Sequence, residues 1–270
     1  MRTRTAIRPA RPEGGRGSPR RLFGLEISEQ SEDQLLAELL APPEAGCGPQ
    51  LVATLNLDHV VNLRRNARFR EAYGWAWRVT IDGAPVFGYA RSRGVSAPAR
   101  ITGAGMFAVL ARMFRPGEHR LFFCVGSPLV AEEMRAFLAE RGFAEGDMHF
   151  TVPPFGFEKD AEQSAELAGA IRRFAPTHLV FALGSPKSEI WTYEHRQTLG
   201  DCRVLCVGAA VEFLVGIKTR APRWMRDAGL EWLWRLASEP RRLFRRYCID
   251  SLGFLAAIRS DLRTEGHSVL

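Results

Sequence analysis

His178-Leu179-Val180-Phe181-Ala182-Leu183 runs into Gly184-Ser185-Pro186 and then into Lys187-Ser188-Glu189-Ile190-Trp191. The fold turns on this stretch. A short apolar run suits a strand buried on both faces, the glycine-proline turn stops it, and a helical pattern follows from Ser188 to Leu199. The same grammar recurs upstream. Arg120–Val125 reads as a strand, stops at Gly126-Ser127-Pro128, and is followed by a helix from Leu129 to Arg141. Arg78-Val79-Thr80-Ile81 ends at Asp82-Gly83 and leads into a helix from Ala84 to Arg93.

Working outward, Leu51–Asn56 reads as a buried strand with a helix from Leu57 to Tyr73 behind it. Met106–Phe114 and Ala161–Phe174 read as helices, His149–Val152 and Arg203–Val207 as strands. Leu22–Ile27 partly alternates, like a short strand, and Ser31 is placed to cap a helix that ends at Pro42-Pro43. Strands that alternate with helices predict an α/β fold with right-handed crossovers and a mostly parallel sheet. In such sheets ligands bind beyond the carboxyl ends of the strands, so the chemistry is expected at the turns.

The chain has 270 residues, 46% of them hydrophobic, enough for one sizeable core. The expected organisation is a disordered basic tail over residues 1–20, one α/β domain over 21–216, and a basic, aromatic appendage over 217–270. The tail carries arginine at 2, 4, 8, 11, 16 and 20 with glycines and prolines, a composition that builds no core. In the appendage, residues 218–246 hold nine Lys/Arg against three acids, with Trp224, Trp232, Trp234 and Phe244 interleaved. Ile249–Leu262 reads as a further amphipathic helix. The net charge of +7 implies an anionic partner: nucleic acid, anionic lipid or a phosphorylated substrate. Nucleic acid would also require base-reading or stacking groups. No apolar run reaches the roughly 18 residues of a membrane span. The five cysteines form no CxxC pair, and Cys124, Cys202 and Cys206 sit in or beside strand-like runs, as buried small hydrophobes do. Cys202, Cys206 and His195 could otherwise be metal ligands.

Four groups could carry chemistry. Asp82, at a strand end before glycine, can accept a proton as a general base, or it can cap the next helix. Thr54 and Asn56 end an apolar strand and can hydrogen-bond a sugar or nucleotide, or serve as turn residues. Gly184, Pro186, Lys187, Ser188 and Glu189 form a turn that opens a helix, where free amides and a lysine suit an anion, although the phosphate-loop spacing is absent. The appendage arginines and tryptophans suit phosphate and a membrane interface, or a solvated face with a tryptophan core stripe. No DxD pair occurs, so a metal held that way is not expected, and Lys and Arg are the candidates to neutralise a diphosphate.

In order along the chain, Thr54-Leu55-Asn56, Ile81-Asp82-Gly83, Arg100-Ile101-Thr102-Gly103, Phe123-Cys124-Val125-Gly126, Ala182–Trp191 and Val207–Gly216 resemble successive motifs of the WecG/TagA/CpsF glycosyltransferases. The most specific likeness lies in Arg220-Ala221-Pro222-Arg223-Trp224-Met225, in Gly229–Leu236, and in Glu239–Tyr247. The resemblance implies a Rossmann-like core with helices on both faces and a basic helical C-terminal appendage. It implies inverting sugar transfer from a UDP-sugar donor to a polyprenyl-pyrophosphate-linked acceptor on the cytoplasmic face of the plasma membrane, and with no DxD pair the transfer is expected to be metal-independent. N-acetylmannosamine, its uronic acid or glucose would be the sugar. Asp82 would be the general base, and Thr54, Asn56, Arg100, Thr102, Gly103, Gly126, Gly184, Pro186, Lys187, Ser188 and Glu189 would bind substrate. Arg220, Arg223, Trp224, Arg241, Arg242 and Arg245 would meet the lipid pyrophosphate and an anionic membrane surface. Nucleic acid is not among the implied partners, and homo-oligomerisation stays open. The alternative is a nucleotide-binding Rossmann-like protein without transferase activity. The family usually has Gln at the position of Ser188, Asp at that of Gly105 and Asp at that of Glu212; the first two departures lie near the expected sugar pocket and leave the donor sugar open.

Overall fold

A computed structural model describes residues 21–95, 97–244 and 250–266. The basic tail expected over 1–20, and with it Arg245, Tyr247 and Cys248, lies outside the described residues. In chain order the strands are β1 Arg21–Leu22, β2 Leu25–Glu26, β3 Pro49–Leu55, β4 Arg78–Ile81, β5 Leu121–Cys124, β6 Met148–Thr151, β7 His178–Phe181 and β8 Cys202–Cys206. The helices are α1 Glu32–Leu40, α2 Leu57–Arg65, α3 Ala67–Trp75, α4 Ala84–Ser92, α5 Gly103–Met113, α6 Pro128–Ala139, α7 Ala161–Phe174, α8 Lys187–His195 and α9 Ala210–Leu214. After them come α10 Arg223–Asp227, α11 Glu231–Ser238, α12 Pro240–Phe244 and α13 Asp250–Gly266.

The main sheet has six strands in the order β4-β3-β8-β7-β5-β6, and every neighbouring pair is parallel. Parallel pairing demands crossovers, and the helices that supply them cover both faces. Side-chain alternation divides the core accordingly. Leu51, Ala53, Phe122, Leu179 and Val204 face one layer, with Phe69 of α3, Ile171 of α7 and Trp191 of α8. Val52, Phe123, Val180 and Leu205 face the other, with Leu35 of α1, Phe107 of α5 and Met134 of α6. This is the expected α/β, Rossmann-like arrangement.

Two expectations need correction. The strand-like run from Leu22 is a two-stranded antiparallel ribbon, β1 with β2, turned at Phe23 and Gly24 with φ of 53° and 75°. The single helix from Leu57 to Tyr73 is two helices. Asn66 closes α2, with its amide on the Asn62 carbonyl, and opens α3, its side chain accepting from Phe69 N at 3.1 Å. A residue suited to a helix N-cap stops one helix and starts the next. Ser31 caps α1 as expected, in a capping box with Gln34.

α13 lies back on α2. Phe254 and Ala257 are buried in the first layer, and a Cβ at Gly253 would stand 3.1 Å from Val61. The buried Asp261 fixes its far end, accepting from Phe23 N at 2.7 Å and from the Tyr89 hydroxyl at 2.9 Å. Among the described residues, no helix is long and apolar enough to cross a membrane.

Candidate active site

A cavity of about 690 Å³ opens beyond the carboxyl ends of β4, β3, β8 and β7. Thr54, Asn56, Asp82, Arg100, Thr102, Gly103, Gly184, Ser188 and Glu189 line it. Parallel register brings β3 and β4 to the same height, Leu55 opposite Ile81, so the residues just beyond them converge.

Asp82 does not cap the helix that follows it. Gly83 is the N-cap of α4 and makes no side-chain cap bond. Asp82 Oδ2 instead accepts from Gly103 N at 3.3 Å, at the first turn of α5. The long crossover from β4 to β5 therefore returns to the site, and the amino end of α5 orients the carboxylate. A Cβ at Gly103 would stand 3.3 Å from Thr54 Oγ1 and 3.8 Å from Asp82 Oδ2, so glycine lets the helix end approach both. Thr54 is 6% exposed in β3. Asn56 both lines the cavity and caps α2, accepting from His59 N at 3.1 Å.

Thr102 caps α5, accepting from Gly105 N at 3.0 Å, and it also accepts from Arg220 Nη2 at 3.3 Å. A Cβ at Gly105 would come within 2.7 Å of the Thr102 hydroxyl. Any larger residue there must displace the group that caps the helix and meets Arg220. Arg100 donates through Nη2 to the Arg226 carbonyl at 2.7 Å, and so ties the C-terminal segment to the sheet.

That segment supplies a wall of its own through Glu212, Phe213, Lys218, Gly229, Glu231 and Trp232. Lys218 pairs with Glu212 at 2.9 Å and with Glu239 at 3.7 Å, and Arg220 pairs with Glu231 at 3.5 Å. Trp224 is 66% exposed and Trp232 42%. Arg223 opens α10, Arg241 is exposed on α12, and Arg242 belongs to the same helix.

Gly126, Pro186 and Lys187 lie outside the lining. Gly126 follows β5, nearer the opposite edge of the sheet, while Pro186 and Lys187 begin α8 beside the cavity. Ser188 turns its hydroxyl back onto the Gly184 carbonyl at 3.0 Å. Glu189 is 2% exposed, and burial pushes its carboxyl up to about 7, with the charge of Asp58 acting in the same direction and its own amide and Ser185 opposing. Trp191 is a core residue, 1% exposed, with Nε1 donating to Ser164 Oγ at 3.1 Å.

Sequence reading did not single out His59, which lines the cavity and shares a 2.6 Å hydrogen bond with the Tyr73 hydroxyl. Its place three residues past Asn56, in the first turn of α2, was the available signal. Cys124, Cys202 and Cys206 are buried free thiols whose pKa burial raises. Cys206 lines the cavity but is poorly suited to act as a nucleophile. His195 bonds the Trp191 carbonyl, and among the described residues no group of three His, Cys, Asp or Glu is arranged to hold a metal.

The arrangement offers a carboxylate beside a helix amino end, polar strand-end groups, and a wall of ion-paired lysine, arginine and glutamate. Among known families, the model described as "Glycosyl transferase WecG/TagA/CpsF family" matches residues 20–267.

Proposed function

The chain belongs to the WecG/TagA/CpsF family of glycosyltransferases, and we propose that it transfers a sugar with inversion from a UDP donor to a polyprenyl-pyrophosphate-linked acceptor. The observation that carries this reading is the placement of Asp82 on the cavity wall, its Oδ2 held by Gly103 N at 3.3 Å. An acceptor hydroxyl gives its proton to Asp82 as its oxygen attacks the anomeric carbon. The bond from that carbon to the diphosphate breaks, and UDP leaves with the electron pair. Arg100 and Lys218 border the cavity, and Arg220 stands at its edge on Thr102, to offset charge on the departing diphosphate without a metal. The exposed Trp224 and Trp232, beside the basic α10–α12, support docking on an anionic bilayer, at the cytoplasmic face where nucleotide sugars are available.

The test uses purified wild type and Asp82→Asn with a panel of UDP-sugars and a short-chain lipid-pyrophosphate acceptor. The expected result is product of inverted configuration from the wild type, and a fall in turnover by about 10²–10⁴ in the variant at unchanged fold. Near wild-type turnover by Asp82→Asn would remove it as the base.

A further inference from the structure

We infer that a groove between α4 and the connection that follows it, headed by Arg91, takes the diphosphate and first prenyl units of the lipid acceptor. This rests on the transferase reading above and names where that acceptor lies, outside the cavity in which the sugar is transferred.

The groove, of about 460 Å³, is lined by Phe87, Arg91, Gly94, Val95, Ala97 and Pro98. Its shape follows from how α4 ends. Gly94, with φ of 67°, donates its amide to the Arg91 carbonyl, and Val95 donates to the Ala90 carbonyl, each at 3.0 Å. This left-handed closure reverses the chain, and the connection returns from Val95 to Thr102, the N-cap of α5. Helix and connection therefore run from groove to cavity. Ala84 and Pro85 of α4 line the cavity, as do Arg100 and Thr102 of the connection. Ala84, Phe87 and Arg91 are spaced by three and four residues and share one face of α4. Arg91 stands about 10 Å beyond Ala84 along the helix axis, and its side chain leans back toward the helix start. From an acceptor hydroxyl at Asp82, that matches the reach of one sugar ring followed by a diphosphate.

The charge pattern favours this occupant. The cations of the cavity and its edge are engaged, Arg100 on the Arg226 carbonyl, Lys218 on Glu212 and Glu239, and Arg220 on Glu231. Arg91 is exposed, and among the described residues no acid stands within ion-pair distance of it. A guanidinium can meet two phosphate oxygens at once. Phe87, Val95, Ala97 and Pro98 offer an apolar surface without a side-chain donor or acceptor. That suits a prenyl chain, whereas a nucleobase or second sugar would leave its polar edge unpaired there. The α10–α11 turn, flanked by the exposed Trp224 and Trp232, rests at the cavity end of the same two segments. A Cβ at Gly229 would stand 3.0 Å from the Ala84 Cβ and 3.7 Å from Arg100 Nη1. The groove thus adjoins the segment proposed to meet the bilayer.

The experiment measures binding and turnover separately in full-length wild type, Arg91→Gln, Arg91→Glu and Pro98→Asp, with Arg173→Gln on α7 as a charge-loss control. Farnesyl diphosphate, which carries no sugar, is the binding probe. The substrates are one UDP-sugar and acceptors with a shorter or a longer prenyl chain. Wild type should bind farnesyl diphosphate, and the probe should compete with the acceptor and not with the UDP-sugar. Arg91→Gln should weaken probe binding and raise the acceptor KM by about tenfold, with kcat and donor KM little changed. Arg91→Glu should do more. Pro98→Asp should remove any advantage of the longer chain. An Arg91 with a merely structural role would move the melting temperature and leave acceptor KM alone. Unchanged acceptor KM in both Arg91 variants, or an equal change in Arg173→Gln, overturns the inference while the transferase reading stands. So does a rise confined to donor KM, which would assign the groove to the donor. Absence of turnover with every donor and acceptor overturns the transferase reading instead. Probe binding lost in Arg91→Glu would then still uphold a prenyl diphosphate site, and equal binding by wild type and variant would remove it.

Discussion

Trp191 and Arg220 secure neighbouring walls of one cavity by different physics. Trp191 fixes α8 from within the apolar layer, 1% exposed, its ring packed on Phe157 and Phe181 and its Nε1 bound to Ser164. Arg220 secures the C-terminal wall through partly exposed polar contacts, to Glu231 at 3.5 Å and to Thr102 at 3.3 Å. Burying a large aromatic side chain is worth several kcal/mol, whereas a solvent-screened ion pair, which Lys218 with Glu212 approaches more nearly than Arg220 with Glu231, contributes about 0–1 kcal/mol. The difference separates fixed geometry from adjustable geometry. Strand ends hold Thr54 and Asp82 where the sheet puts them, while Lys218 and Arg220 can exchange glutamate partners for an anionic ligand at little cost.

The comparison breaks if the two walls respond alike to truncation. Trp191→Ala should destabilise the protein by about 3–5 kcal/mol in chemical denaturation, through lost burial and a cavity under α8. The next effect tests a buried acid of the fixed wall, Glu189. Glu189 has its carboxyl raised from 4.5 to about 7 by burial. Its protonated form is favoured on folding, so its contribution is complete below about pH 4.5 and is lost as pH rises through about 7. The loss is at most about 3 kcal/mol for a shift of this size. Glu189→Gln should flatten the stability profile between those limits relative to wild type, and parallel profiles would place the carboxylate in contact with water. The smallest effect belongs to the adjustable wall. Lys218→Ala, at the more exposed of the pairs, should change stability by no more than about 1 kcal/mol, a difference that shrinks further in high salt. A loss from this variant comparable with that of Trp191→Ala would show the C-terminal wall to be as rigidly built as the sheet.

Much of this was legible in the chain. Apolar runs stopped by Asp82-Gly83, Gly126-Ser127-Pro128 and Gly184-Ser185-Pro186 mark strands β4, β5 and β7 because buried parallel strands need little more than that pattern. Asp82, Thr54 and Asn56 stood out because strand ends are where side chains escape the core. The break at Asn66 was hidden, since both halves carry helical spacing and the cap works only once α2 and α3 pack. The order β4-β3-β8-β7-β5-β6 is non-local, so the return of α5 to Asp82 could not be read from either segment alone. The lining contributed by Glu212, Lys218, Glu231 and Trp232 has the same origin. Glu189 drew notice as part of a motif, but its burial arises from packing that no local pattern encodes.

The seating of α13 alters the mechanics of the segment before it. Residues 218–244 leave the sheet after α9, and further along the chain α13 is clamped on α2, its Asp261 gripping Phe23 and Tyr89. Pinned at both ends, the segment is a handle rather than a pendant arm. A handle bows over a short distance and springs back, whereas an arm swings and must search for its seat. Displacing Lys218 and Arg220 from their glutamates therefore need not release the wall into solvent, and its return after each encounter is a local, intramolecular step.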